Sequence, residues 1–216
     1  MQQEKSFNEC SLTFLEKTFH LEQAIETLPE LEHWFALAKQ EVIDRDEKVQ
    51  LGKLGRLMEF NLYHWNETEL DMNFIGPVFS LVNFSSKQFN LFAQRHIETT
   101  VEDYKLFGKP DNLVASGRRE PEIPFFAFAE YKKKQDPKGD PVAQALAAML
   151  VGQYLNHKIE ETIYGCFVVG NDWQFMTLKG KSYEISKDYS AITDDIYDIF
   201  RMLKALKGIV QRRVTP

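Results

Sequence analysis

The chain has 216 residues, 44% of them hydrophobic and 27% charged, which is enough for one large domain or a core domain with a smaller appendage. No apolar run approaches the length of a membrane span, and residues 1–10 lack the apolar stretch of a signal peptide, so we expect a cytoplasmic protein with no membrane partner. The net charge of −6 excludes a strongly basic nucleic-acid binder but not a local basic cleft, and the spacing of Cys10 and Cys166 argues against a zinc site.

Residues 1–64 are predicted to form a helical N-terminal extension. Pro29 suits the first turn of a helix over 28–40, and apolar residues recur at helical spacing over 47–63. Acidic residues outnumber basic ones in this part of the chain as a whole. We expect its acidic helices to offer a surface for a partner protein or for a homo-oligomer.

Strands dominate after one further helix, predicted over 67–81. Alternation predicts strands over 88–100, 104–116 and 125–133, joined by short connections. The sequence from Phe125 to Ala129 leaves neither face polar, which is typical of a central strand covered on both sides. We therefore expect 88–133 to form three consecutive strands of one sheet.

The remainder of the chain alternates again between helix and strand. Asp140 and Pro141 predict the N-cap and first position of an alanine-rich helix over 142–156. Strands are predicted over 163–170, 173–178 and 181–186, and Thr193 is placed as the cap of a last helix. The fold class is α/β or α+β, with a mixed central sheet flanked by helices over 65–216.

Three charged residues stand out against this pattern. Glu130 and Lys132 lie two apart at the end of the strand over 125–133, so their side chains share a face. Asp111 lies in an otherwise strand-like stretch, where Asp is disfavoured. If the two strands are neighbours, the three side chains converge at one end of the sheet. Two carboxylates are suitable ligands for Mg²⁺ bound with a phosphate, and a lysine can position the attacking water and offset charge in the transition state.

This pattern resembles the PD-(D/E)XK nuclease superfamily, whose fold is restriction endonuclease-like. The motif is Pro110-Asp111, then 18 intervening residues, then Glu130-Tyr131-Lys132. The family order of helix, three strands, helix and strand corresponds to 67–170. The resemblance implies a bacterial, metal-dependent nuclease acting on DNA, with Mg²⁺ or Mn²⁺ as its cofactor. Asp111 and Glu130 would bind the metal, and Lys132 would act as the water-positioning base or electrostatic stabiliser.

Two further positions follow from the same resemblance. Many members carry a glutamine on the helix after the lysine strand, and Gln144 occupies that position. Many also carry an acid on the first core helix, where Glu67 and Glu69 are the candidates. Glu67 is preferred because it shares the helix face of Leu70 and Phe74.

Simpler interpretations stay open beside this one. Glu130 and Lys132 also suit a strand end entering solvent, and Asp111 suits a turn beside Pro110. Lysines in 132–138, with Arg118 and Arg119, form a basic region expected near the site, which suits either phosphate contacts or an ordinary charged loop. The alternative function is a catalytically silent protein of the same fold that binds nucleic acid or a partner protein.

Overall fold

The computed structural model describes residues 3–135 and 137–214, and within these ranges it is an α+β fold with mixed sheets flanked by helices. The helices are α1 (Leu12–Phe19), α2 (Pro29–Ala38), α3 (Arg45–Asn61), α4 (Glu67–Leu70), α5 (Gly76–Val82), α6 (Pro141–Asn156) and α7 (Asp195–Val214). The strands are β1 (Gln3–Ser6), β2 (Glu22–Gln23), β3 (Phe89–Ala93), β4 (Ile97–Val101), β5 (Tyr104–Gly108), β6 (Asn112–Ser116), β7 (Glu122–Lys132), β8 (Ile163–Val169), β9 (Asp172–Lys179), β10 (Ser182–Ile185) and β11 (Tyr189–Ser190).

The large sheet has the strand order β2-β10-β9-β8-β7-β6-β3, with β11 paired to β9. Its central pair, β7 and β8, is parallel, whereas β3, β6 and β7 are successively antiparallel. The helix α6 connects β7 to β8, as a crossover between parallel strands requires. A second sheet of three strands has the order β1-β5-β4.

Helix α6 lies between the two sheets. It contacts β7 and β8 on one side and β4 and β5 on the other. Every residue from Ala143 to Gln153 is buried, which explains why its sequence is apolar on all faces. Ala143, Ala147 and Ala148 are all fully buried, as expected for a helix that approaches a sheet closely.

The stretch 88–133 differs from the predicted three strands of one sheet. It forms five strands, of which β3, β6 and β7 belong to the large sheet and β4 and β5 to the small one. The predicted strand over 88–100 is interrupted at Gln94, whose φ of 48° lies in the left-handed region. The predicted strand over 104–116 is interrupted at Lys109 to Asp111, so that β5 and β6 separate.

The first 64 residues contribute strands as well as helices. β1 pairs with β5, and β2 pairs with β10, so this segment adds a strand to each sheet. Trp34 on α2 is fully buried, and its indole N–H donates to the carbonyl of Met202 on α7 at 2.8 Å. The boundary at residue 64 stays a prediction, but the segment shares its buried core with the rest of the chain.

The predicted helix over 67–81 is one helical run with a π-turn inside it. α4 leads into the wider turn at Asp71–Ile75, where the N–H of Gly76 donates to the carbonyl of Asp71, and α5 follows. Such a turn rotates the side chains of one helical segment relative to the next and is frequent at functional sites. Within the described chain, no helix combines the length and apolar character needed to cross a bilayer.

Candidate functional site

Asp111 lies immediately before β6, beside the end of β7. Asn112 pairs with Ala129, and continuing that antiparallel register brings Asp111 opposite Glu130. The backbone N–H of Tyr131 donates to Oδ2 of Asp111 at 2.7 Å, which ties the carboxylate to the neighbouring strand. The backbone carbonyl of Asp111 accepts from the N–H of Gln94 at 3.0 Å, so its position is held from both sides.

Glu130 and Lys132 form a buried ion pair on one face of β7. Nζ of Lys132 donates to Oε1 of Glu130 at 2.8 Å. The two residues are only 7% and 8% exposed, so they do not form a strand end that enters solvent. The intervening Tyr131 points to the opposite face, where its hydroxyl accepts a hydrogen bond from Nδ2 of Asn112 at 2.5 Å.

Burial and mutual repulsion disfavour charge on both carboxylates. Burial first, and the charge of Asp111 second, raise the pKa of Glu130 to about 7, although Lys132 opposes the shift. Burial also raises the pKa of Asp111, against the hydrogen bond from Tyr131 and the charge of Lys132. A buried pair of acids with raised pKa values is typical of a site that is completed by a cation or a proton.

Lys132 stays positively charged in this environment. Burial acts to lower its pKa, but attraction to Glu130, Glu67 and Asp111 outweighs burial, so the pKa of Lys132 lies above its ordinary value. An ammonium group with three donors can therefore hold a water or a phosphate oxygen but cannot accept a proton.

Of the two acidic residues predicted on the first core helix, Glu67 is the one whose charge raises the pKa of the site carboxyl groups. Its charge adds to the repulsion felt by Asp111 and Glu130. Glu69 instead closes the capping box of α4, where its carboxylate accepts from the N–H of Asn66 at 2.8 Å. The preference for Glu67 over Glu69 therefore has a physical basis, although Glu67 itself is exposed.

A further acid near the site, Asp71, was missed from the sequence. It follows Glu67 by four residues, is half-buried at the start of the π-turn, and adds to the repulsion on Asp111. Burial raises the pKa of Asp71. The spacing from Glu67 is the signal that could have found it, because residues four apart share a helix face.

Gln144 is buried in the first turn of α6, and its side chain packs against the loop that precedes this helix. A Cβ on Gly139 would lie 2.5 Å from Nε2 of Gln144, so the side chain packs directly over this glycine. Within the described residues, Oε1 of Gln144 has no hydrogen-bond partner, and no hydrogen bond joins Gln144 to Asp111, Glu130 or Lys132. Gln144 therefore carries an unsatisfied acceptor that a ligand or water would complete.

The basic region expected near the site is only partly there. Lys134 follows the motif strand and forms an ion pair with Asp172 at the start of β9. Arg118 and Arg119 instead occupy the turn between β6 and β7, at the opposite ends of these strands from Asp111 and Glu130. Arg118 and Arg119 precede β7 whereas the lysines end or follow it, so the length of this strand separates the two groups. Asp136, within that region, lies outside the described residues.

The donor set suits a hard cation bound by two protein ligands. In the hydrogen bonds described above, Asp111 uses Oδ2 and Glu130 uses Oε1, which leaves Oδ1 and Oε2 for a metal. Across 3–135 and 137–214, no three His, Cys, Asp or Glu side chains are grouped closely enough to hold an ion. Mg²⁺ commonly needs only one or two carboxylates, because substrate phosphate and water complete its shell.

Comparison with known proteins adds no relative. Neither a protein-family model nor a curated protein matches this chain.

Proposed function

We propose that the protein is a metal-dependent nuclease of the PD-(D/E)XK type with a restriction endonuclease-like core. The observation that carries the proposal is the position of Asp111 beside Glu130 on the neighbouring strand, with Asp111 bonded to the N–H of Tyr131 and Lys132 bonded to Glu130. The order of elements supports it: the helical run through α4 and α5, then β3, β6, β7, α6 and β8, with the β4–β5 hairpin as an insertion.

The residues of this chain would have separate roles in hydrolysis. Asp111 and Glu130 would hold Mg²⁺ or Mn²⁺ through their free oxygens. When bound, such an ion makes water more acidic and offsets negative charge on the phosphate. Lys132 would orient the attacking water and stabilise the charge that develops on the phosphate oxygens. Its raised pKa favours this role over that of a general base.

Cleavage assays test the proposal. Plasmid, linear duplex and single-stranded DNA, with an RNA of matched sequence, would be incubated with the protein in Mg²⁺, in Mn²⁺ and in EDTA. We expect metal-dependent cleavage of DNA, and we expect the rate to fall about 100-fold or more in Lys132→Ala because charge stabilisation is lost. The matched control is Lys179→Ala, because Lys179 forms a surface ion pair with Glu30 at 2.7 Å. This variant should cleave DNA at the wild-type rate.

Two results would count against the proposal. One is cleavage that persists unchanged in EDTA, and the other is equal activity in Lys132→Ala and Lys179→Ala. Binding of DNA without any metal-dependent cleavage would instead support a catalytically silent protein of this fold.

A further inference from the structure

A second cleft, away from Asp111 and Glu130, opens between α2, β11 and α7. We call it the α2–α7 cleft, and it encloses about 740 Å³ of space open to solvent. The rings of Phe35 and Tyr189 line it, with centroids 6.3 Å apart and planes inclined by 57°. Ligand clefts commonly combine aromatic side chains with a few charged or polar groups, as this lining does.

Cationic side chains surround these rings. Lys39 and Lys187 line the cleft and are exposed, and neither forms an ion pair with any residue the structure describes. Nζ of Lys187 lies 5.0 Å from the centre of the Tyr189 ring. The third cation, Arg201, is neutralised by Asp198 at 2.7 Å. Two lysines that have no ion-pair partner among the described residues therefore line the cleft. The carboxylates of Asp195 and Asp198 also act on Tyr189 from α7.

The cleft lies at the same end of the large sheet as Lys132. In the strand register, Lys132 pairs with Val169, Val169 with Asp172, and Asp172 with Ser190, which directly follows Tyr189. Three strand spacings, or about 14 Å, separate Lys132 from Ser190, whereas the Tyr189 ring lies on the opposite face of the sheet with Tyr131, so a bound strand would have to cross the end of the sheet. An extended polymer could span this distance with a few of its units.

We propose that the α2–α7 cleft binds a nucleotide of single-stranded nucleic acid that runs along this end of the sheet. The base would stack on Phe35, whose ring is inclined by 57° to that of Tyr189, and the flanking phosphates would contact Lys39 and Lys187. A basic groove with aromatic platforms is the general means by which proteins hold single strands without reading sequence. The inference rests on the proposed nuclease function, since it assigns the substrate strand of that site.

Binding is measured by fluorescence anisotropy with a labelled 15-nucleotide thymidine strand, in EDTA so that no cleavage occurs. The test variant is Lys39→Ala with Lys187→Ala, and the matched control is Lys17→Ala with Lys53→Ala, two exposed lysines outside the cleft. We expect the slope of log Kd against log salt to fall by about 1.4 in the cleft variant, because each phosphate contact on a single strand contributes about 0.7. The control should keep the wild-type slope.

Stacking is tested on the unaltered protein, which avoids any effect of substitution on folding. We expect the thymidine strand to bind at least about fivefold more tightly than an abasic strand of equal length. Equal slopes in the cleft and control variants would overturn the inference, whatever the cleavage assays show. Equal affinity for thymidine monophosphate and for the strand would also overturn it, because the cleft would then hold a free nucleotide. If the cleft variant loses binding but the wild-type protein cleaves no nucleic acid, this inference is supported and the proposed nuclease function is wrong.

Discussion

Glu130 is a carboxyl group whose environment works against its own ionised form. Burial removes most of its hydration and Asp111 adds repulsion, while the single hydrogen bond from Lys132 compensates only in part. A carboxyl group with a raised pKa keeps its proton in the folded protein over a pH range where the unfolded chain has lost it.

This imbalance predicts how stability depends on pH. The folded protein binds more protons than the unfolded chain between about pH 4.5 and the folded pKa of about 7, so the free energy of unfolding falls as pH rises through this window. The loss should be on the order of 1 to 3 kcal/mol, and Glu130→Gln should remove most of it. Denaturant unfolding at pH 5, 6, 7 and 8 measures the effect.

The control for that experiment is Glu161→Gln, which removes a carboxylate paired with Lys158 at the surface. It should leave the pH dependence of the wild type in place. If Glu130→Gln and Glu161→Gln show the same pH dependence, Glu130 is ionised in the folded protein and the buried acid pair does not exist as described.

Single residues also show what sequence reasoning can find. Asp111 could be found because an aspartate inside a strand-like stretch is unusual, and Glu130 and Lys132 because two-residue spacing fixes their common face. Asp71 could have been found only through its four-residue spacing from Glu67, because the π-turn in which it lies has no clear sequence signal. The burial of Lys132 could not be predicted either, because Lys133 and Lys134 follow it directly and three consecutive lysines are typical of a solvent-exposed segment.

At the scale of elements, α6 is constrained more tightly than the other helices because sheets cover it on both sides. Asn156, at its end, exchanges two hydrogen bonds of 2.7 Å with the backbone of Phe125, which fixes its position along β7. Gly152 lies where the helix comes closest to the large sheet. A Cβ there would lie 2.5 Å from Cε2 of Phe128, whose ring is itself buried.

Gly152→Ala should therefore destabilise the protein although alanine is the better helix former. The gain in helix propensity is about 1 kcal/mol, whereas forcing an extra carbon into a packed core costs about 1 to 3 kcal/mol. The matched substitution is Gly52→Ala in α3, where the nearest atom to the new Cβ would be Nη1 of Arg56 at 3.7 Å. That variant should be more stable than the wild type by up to about 1 kcal/mol.

Thermal or urea unfolding of the two variants gives a direct comparison. We expect the free energy of unfolding to fall in Gly152→Ala and to rise in Gly52→Ala. A stabilised Gly152→Ala would show that α6 does not approach β7 as closely as the structure describes.

Elements with strong local signals were predictable, and those defined by distant pairing were not. α2, α3, α6 and β8 follow from caps and periodicity and agree with prediction within two residues. The strands β1 and β2 are short and polar, and they exist because β5 and β10 offer them partners. The division of 88–133 between two sheets likewise depends on tertiary pairing, which alternation alone does not encode.

At the scale of the whole molecule, two buried clusters lie on the two faces of the large sheet. One contains Trp34 and residues of α5 and α7, and the other surrounds α6. Residues of the N-terminal segment belong to both clusters. The candidate site lies where β6 begins and β7 ends, between these two cores, so its charged groups are held by well-packed strands. This rigidity would keep the two carboxylates together even though they repel each other.

That repulsion makes a prediction for the stability of the whole fold. A divalent ion that binds Asp111 and Glu130 in the folded state, but not the unfolded chain, would relieve the repulsion and stabilise the protein by mass action. We expect millimolar Mg²⁺ or Mn²⁺ to raise the Tm of the wild type. Asp111→Asn should be at least as stable without metal, because it removes one repelling charge and its amide oxygen can still accept from Tyr131, and it should lose the metal response.

The control is Asp44→Asn, which removes a carboxylate from the N-cap of α3 and replaces it with a residue that caps equally well. This variant should keep both the stability and the metal response of the wild type, so any change in Asp111→Asn is due to the site. Thermal melts of the three proteins, with and without metal at matched ionic strength, decide the matter. A metal response of the same size in Asp111→Asn and Asp44→Asn would mean that the ion binds elsewhere, and the pair formed by Asp111 and Glu130 would then be a structural feature of the sheet.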